Sequence, residues 1–289
     1  MRSNRASKTA ELAAAVRAAH LIYDSPVVFR DEFAIGLTSP FWRIISQSRI
    51  LHHIVVNKLL ATLRPVHGQI LGRARYCEDA LTRAVASGIR QYVIVGAGLD
   101  SFGLRHPELA GSLNVFELDH PASQESKRHR VIKLTGEMPK NIVFVSVDFE
   151  KETVADALRR SSFDPTQLAF FSWLGTIHYL PTESVYATLG SISHFALAGS
   201  EIVFDYGIGG DMLGDADREA LAELKRFVAK RGEPIISSFD PEIFTTKIFE
   251  LGFTLIEDLS YKQQMSRYFA NRTDDLRPAA FSRIAHYRI

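Results

Sequence analysis

Apolar residues fall in two kinds of pattern along this chain. Leu12, Val16, Ala19 and Tyr23 recur at helical spacing, and Asp24-Ser25-Pro26 ends that stretch. Residues 41–64 read as a second helix, with Ile44, Ile45, Leu51, Ile54, Val55, Leu59 and Leu60 on a broad apolar face. A third, over roughly 69–87, carries Arg73 and Arg75 and leads to Gly88. Beyond it the pattern changes to short β-branched and aromatic runs at 91–95, 114–119, 142–147, 169–173, 201–206 and 252–257. Residues 281–289 alternate and predict a seventh strand. Helices are expected between the runs: one starting at Pro121, then 151–160, 182–196, 217–231 and 242–251. Asp240-Pro241 supplies the last with an N-cap and a first-turn proline. Strands alternating with helices predict an α/β fold, a sheet of about seven strands flanked by helices. A helical N-terminal cap is expected over 1–88 and the core over 89–289, with a glycine- and aspartate-rich insertion around 207–239.

The segment 91–119 carries the first chemical signal. A strand runs directly into Gly96-Ala97-Gly98, and a second strand closes about 20 residues later on Glu117 and Asp119. Glycines at such a turn let the backbone approach a ligand, and an acid at the second strand's end can grip ribose hydroxyls. These residues suggest a nucleoside-containing cofactor. A dinucleotide site wants a third glycine where Ser101 stands, and Asp100 would repel a pyrophosphate. S-adenosyl-L-methionine, which has no phosphate, suits the turn better.

Composition narrows the classes without naming one. The 289 residues carry a net charge of +1, which gives no reason to expect nucleic acid or an anionic membrane as partner. No run approaches the roughly 20 apolar residues of a membrane span. The lone Cys77 excludes an internal disulfide and suits a reducing, cytoplasmic setting. Residues 1–8 are basic and expected to fray; their Arg, Ser and Ala content resembles a transit peptide, but no cleavable apolar segment follows. His52 and His53 diverge on a helix and are poor metal partners, and no other metal site is expected. The cluster Lys127-Arg128-His129-Arg130 reads as a solvated helix face. Oligomeric state leaves no trace in the sequence.

Four motifs in order carry a more specific resemblance: Val-Gly-Ala-Gly-Leu-Asp-Ser (95–101), Phe-Glu-Leu-Asp-His-Pro (116–121), Val-Asp-Phe (147–149) and Trp-Leu-Gly-Thr-Ile-His-Tyr-Leu (173–180). Together they resemble the leucine carboxyl methyltransferase family, from about Arg17 to the Arg-Thr-Asp-Asp-Leu-Arg-Pro of 272–278. The resemblance implies a Rossmann-like, seven-stranded class I methyltransferase sheet with one antiparallel strand near the C-terminus. It implies S-adenosyl-L-methionine as cofactor and a small-molecule acceptor with a carboxylate or hydroxyl. It also implies roles. Arg75 would hold the methionine carboxylate, with Arg17 as a second basic contact, unless Arg75 is simply a surface arginine. Gly96, Ala97 and Gly98 would bring the backbone beside the methionine part. Asp119 would hold the ribose, with Glu117 as the close alternative and His120 beside them. Asp148 would accept from the adenine amino group, Phe149 would offer its amide or ring, and Ser172 and Trp173 would complete the cofactor contacts. One position departs from the family pattern: Leu174 stands where its carboxyl methyltransferases carry a glutamate. That favours a small-molecule O-methyltransferase over phosphatase-directed activity.

Methyl transfer is an in-line displacement in which the protein mainly aligns the two partners. A carboxylate acceptor needs no base, whereas a hydroxyl does, and His178 just past the fourth strand is the candidate. The competing reading makes His178 a hydrogen-bonded core histidine. Trp173, Tyr179 and Tyr206 are candidate pocket walls, with core packing as their alternative. A nicotinamide-dependent oxidoreductase and, given Leu174, an inactive cofactor-binding protein are the other classes. The acceptor itself should be read by the N-terminal helices and the 207–239 insertion, surfaces that carry no portable motif.

Overall fold

Seven strands form one sheet in the order β3-β2-β1-β4-β5-β7-β6. They are β1 Gln91–Val95, β2 Asn114–Asp119, β3 Ile142–Ser146, β4 Ala169–Trp173, β5 Glu201–Gly207, β6 Thr254–Leu259 and β7 Ser282–Arg288. β1 to β5 pair in parallel, and β7 runs antiparallel between β5 and β6. The computed structural model describes residues 8–289 other than 231 and 233; the basic stretch at 1–7 lies outside them. No helix among the described residues is long and apolar enough to cross a membrane.

The two-residue alternation along each strand feeds two apolar layers. Val93, Phe116, Phe171, Trp173, Phe204 and Tyr206 face one side, covered by the helices Val154–Arg159, Thr182–Phe195 and Pro241–Glu250. Tyr92, Ile94, Val115, Phe170 and Val203 face the other, where the long helix Arg64–Ala86 packs through Tyr76, Cys77, Ala80 and Ala84. That helix, grouped with the cap by its position in the sequence, is thus a wall of the sheet.

The real cap comprises the first helix, Lys8–Tyr23, and the segment up to Leu63. The continuous helix expected over 41–64 is broken into Pro40–Gln47, Arg49–His52, a π-turn at His53–Leu59 and a short 3₁₀ turn. Ser48 is the break: it leaves helical geometry, and its hydroxyl accepts from Leu51 N–H to cap the next piece. The cluster 127–130 is also corrected. Lys127 is buried and donates to Glu117 Oε2 at 2.5 Å, while Arg130 reaches Glu11 at 2.5 Å.

The strand order reverses between β1 and β4; after β1 the chain packs Phe102 into one apolar layer, and after β4 it packs Ile177 into the other. In open α/β sheets, ligands bind in the crevice at such a switch point. Here that switch point lies between Gly96-Ala97-Gly98 and the loop 174–179, where Thr176 approaches Gly96.

Candidate active site

The glycine turn is tied to its neighbours on both sides. Gly96 and Ala97 N–H both donate to Leu118 O, at 2.9 and 3.0 Å, folding the turn onto the end of β2. Asp119, at that end, accepts from Gly98 N–H on Oδ2 and from His120 N–H on Oδ1, each at 2.6 Å. Burial lifts the Asp119 carboxyl above its usual range against these hydrogen bonds. Gly98 adopts φ +51°, and a β-carbon there would stand 3.0 Å from Ala10 Cβ, so the first helix lies directly against the turn.

A buried charge network holds that helix in place. Arg17 donates through Nη2 to Leu99 O and through Nε to Asp31 Oδ2, both at 2.7 Å. Ser101 Oγ donates to the same Asp31 oxygen at 2.7 Å, and Arg105 Nε donates to Ser101 Oγ at 2.9 Å. Arg105 in turn pairs with Glu78. Burial alone would raise the Asp31 carboxyl, but Arg17, Arg105 and the Ser101 hydroxyl outweigh it and hold it low. The structure therefore gives Arg17 a clamp between cap and turn. Ser101, noted in the sequence for the glycine it replaces, is a joint of that clamp.

Across the crevice the arginine that enters is Arg73. Its Nη1 donates to Asp205 Oδ2 at 2.9 Å, and its side chain is 11% exposed. Gln69 Nε2 donates to the same oxygen at 3.2 Å, and Gly175 N–H to Asp205 Oδ1 at 2.6 Å. Gly175 has φ +77°, and a β-carbon there would lie 2.4 Å from Arg73 Nη2, so the guanidinium packs flat on the loop after β4. Arg75 is not part of this group. Its side chain is 47% exposed and donates to Asp79 Oδ1 and Val28 O. Positions two apart on a helix point in different directions, so one of these arginines turns inward with Gln69 and the other outward.

Thr176 and His178 complete the loop. Thr176 Cγ2 stands 3.1 Å from where a Gly96 β-carbon would be, and its Oγ1 is buried without a hydrogen-bond partner among the described residues. His178 is pushed down to about 4, mainly by burial, with the Arg73 charge assisting and Asp205 opposing. Its backbone oxygen accepts from Ile236 and Ser237 N–H, at 2.9 and 3.3 Å. A cavity of about 280 Å3 opens beside it, lined by Arg73, His178, Tyr179 and Gly207, by Leu60 and Leu63 of the cap, and by the helix Asp215–Ala229.

Several residues singled out in the sequence sit elsewhere. Glu117 is buried against Lys127, one strand turn below the crevice, which leaves Asp119 as the acid at the edge. Ser172 is buried with its Oγ 2.9 Å from Tyr92 Oη, and Trp173 packs in the opposite apolar layer. Tyr206 donates to Asp258 Oδ2 at 2.7 Å and packs between Phe239 and Phe244, so it is core and not pocket wall. Leu174 packs against the layer that includes Tyr92, with no carboxylate in the glutamate's place. His120 Nδ1 accepts from Ala122 N–H and caps the helix Pro121–Thr135. Asp148 lies past β3, paired with Lys151 at 2.7 Å, and Phe149 is exposed. Arg73, Gln69, Asp205 and Thr176 meet at this edge, and sequence reasoning had assigned none of them a role.

Comparison with known proteins places the chain in a family. The family model described as leucine carboxyl methyltransferase matches residues 10–193. A Bacillus subtilis (strain 168) protein, YktD, assigned by name to the S-adenosyl-L-methionine-dependent methyltransferases, is 34% identical over 305 aligned positions, spanning 99% of this chain and 98% of that one. A Mycobacterium avium (strain 104) protein assigned by name to the same class is 30% identical over 207, spanning 68% of this chain and 65% of its own. Among solved structures, a DUF574 family protein from Streptomyces avermitilis MA-4680 superposes with a TM-score of 0.63 at 15% identity, covering 94% of this chain and 96% of that chain. A Thermobifida fusca YX protein gives 0.57 at 15% identity, covering 96% and 94%. At such identities the structural likeness speaks to the fold.

Proposed function

The chain belongs to the leucine carboxyl methyltransferase family and is an S-adenosyl-L-methionine-dependent methyltransferase, and from that premise we propose that it methylates a carboxylate or hydroxyl oxygen of a small molecule held between cap and sheet. Family membership sets the nicotinamide reading aside. The observation that carries the proposal is the meeting of two halves at one edge: the turn 96–98 with Asp119 on one side, and Arg73, Thr176 and His178 beside an apolar cavity on the other.

The residues present fit the cofactor. Thr176 Oγ1 is an orphaned buried hydroxyl facing Gly96, and the methionine end of the cofactor would supply its partner. Arg73 keeps guanidinium donors beyond those used on Asp205 and would hold the methionine carboxylate, the task first given to Arg75. Asp119 would accept from the ribose hydroxyls with its remaining lone pairs, and Asp148 and Phe149 past β3 would meet the adenine. Bound there, S-adenosyl-L-methionine supplies a methyl group on a sulfonium, a good leaving group at neutral pH. The chain's own contribution is alignment, which in well-oriented reactions is worth roughly 7–11 kcal/mol, and exclusion of water by the cap. His178 would orient the acceptor or accept its proton. A cytoplasmic setting goes with this reading, since the lone cysteine is buried and unpaired.

The test is transfer of labelled methyl from S-adenosyl-L-methionine to a panel of carboxylic acids and phenols. Label appearing in an organic product supports the proposal. Label transferred to no oxygen compound, with the cofactor bound, counts against it.

A further inference from the structure

The cavity beside His178 is apolar over most of its wall, and its charge is nearly balanced where it meets the sheet. Leu60 and Leu63 face it from the cap, Ile70 from the helix Arg64–Ala86, and Leu221, Leu224 and Val228 from the helix Asp215–Ala229. At the sheet end the polar groups are committed to the protein or, on the reading above, to the cofactor. Gln69 and Arg73 both donate to Asp205, so the guanidinium charge is matched by a buried carboxylate. Ser237 Oγ donates to Ile177 O at 3.0 Å. The His178 ring differs: among the described residues no protein group hydrogen-bonds its nitrogens, and burial keeps it uncharged at neutral pH. Lys225, on the helix Asp215–Ala229, is the other cation of the wall.

Resting on the methyltransferase reading above, we propose that the acceptor is an uncharged, largely apolar hydroxyl compound, a phenol or alcohol whose oxygen meets His178, and that the site discriminates against carboxylates. A carboxylate placed at the sheet end would shed its hydration beside a neutral imidazole, with Arg73 shared between Asp205 and, on the reading above, the cofactor's own carboxylate, a penalty that good pairing alone repays. A neutral hydroxyl avoids most of that penalty and offers the donor that an unpartnered imidazole nitrogen accepts. It also needs the base that a carboxylate does not. In the transfer, an oxygen lone pair forms the O–CH3 bond while the S–CH3 bond breaks with its electrons staying on sulfur, and the hydroxyl proton passes to a His178 ring nitrogen. An apolar wall fits a hydrocarbon body behind that hydroxyl.

Matched pairs test this: 2-naphthol against 2-naphthoate, 4-propylphenol against 4-propylbenzoate, and octanol against octanoate, each titrated calorimetrically into protein saturated with S-adenosylhomocysteine. In at least one pair the hydroxyl compound should bind ten times more tightly or better, a margin of about 1.4 kcal/mol. With S-adenosyl-L-methionine that compound should become its methyl ether, and the matched acid should yield no ester. His178→Gln should lower kcat by about 10²–10⁴-fold while leaving hydroxyl-compound and S-adenosylhomocysteine affinities near wild type, a split that loss of folding would not produce. Protein that takes no S-adenosylhomocysteine would defeat the methyltransferase reading itself. Protein that takes it but binds neither member of any pair, or binds the acids equally well, would overturn this proposal alone, as would full turnover by His178→Gln.

Discussion

Arg73 Nη1 donates to Asp205 Oδ2 across 2.9 Å, joining the helix before β1 to the end of β5. Burial would raise the Asp205 carboxyl, but Arg73, His178 and the Gly175 N–H hold it below the usual range. Removing one partner of such a buried pair leaves an uncompensated charge, so Arg73→Met should cost about 3–5 kcal/mol in urea unfolding. Arg75→Ala, at an exposed pair with Asp79, should cost less than about 1 kcal/mol. Only the first change should weaken S-adenosylhomocysteine binding.

Thr176 offers the opposite signature. Its unpartnered Oγ1 contributes nothing to the fold as it stands, so Thr176→Val should leave the melting temperature unchanged or higher. If the hydroxyl serves the cofactor, S-adenosylhomocysteine affinity should fall by roughly 2–12-fold, the worth of one neutral hydrogen bond of about 0.5–1.5 kcal/mol. Equal affinity in the two proteins would remove Thr176 from the site.

Acid should act through two half-buried histidines. His178 and His67 are each pushed from 6.5 down to about 4, chiefly by burial. Below pH 6.5 the unfolded chain takes up protons that the folded chain refuses until about pH 4. Stability is therefore full above about pH 6.5 and falls as the pH drops through that window. Each histidine contributes up to about 3 kcal/mol to the fall. Urea midpoints measured from pH 7.5 to 4.5 should decline for wild type and decline less steeply for His67→Phe. A base with so low a pKa also stays unprotonated, so kcat/KM should show no acid limb near pH 6.5.

Much of this was legible in the chain itself. The runs at 91–95, 114–119 and 169–173 appear as strands with the expected ends, because short unbroken apolar, β-branched and aromatic runs reflect burial on both faces. Asp240 caps its helix as read, accepting from Glu242 and Ile243 N–H. Two placements had a signal in the sequence. Residues 69, 73, 76 and 80 share a helical face, which turns Arg73 inward and Arg75 outward; Ile202, Phe204 and Tyr206 share a strand face, which puts Tyr206 in the apolar layer. Others had none. The burial of Lys127 depends on Glu117 from another element, and the orphaned hydroxyl of Thr176 exists only once its loop meets Gly96.

Asp31 gathers Arg17, Ser101 and Arg105 at one carboxylate, and so joins the cap to the glycine turn. Asp31→Ala should leave Arg17 without its buried partner and Arg105 with Glu78 alone, costing about 3–5 kcal/mol. Amide exchange over 99–105 should quicken more than exchange in β5, since the clamp is local. Uniform quickening would assign Asp31 a global role instead.

The central claim is that the cofactor's ribose sits on Asp119 at the end of β2. Calorimetric titration of S-adenosylhomocysteine into wild type and Asp119→Asn tests it most directly, with circular dichroism as the check on folding. The account expects saturable one-site binding to wild type, weakened by roughly 10–150-fold in the folded variant, the worth of a charge-assisted hydrogen bond of about 1.5–3 kcal/mol. Undiminished binding by Asp119→Asn, or none by wild type, would contradict it.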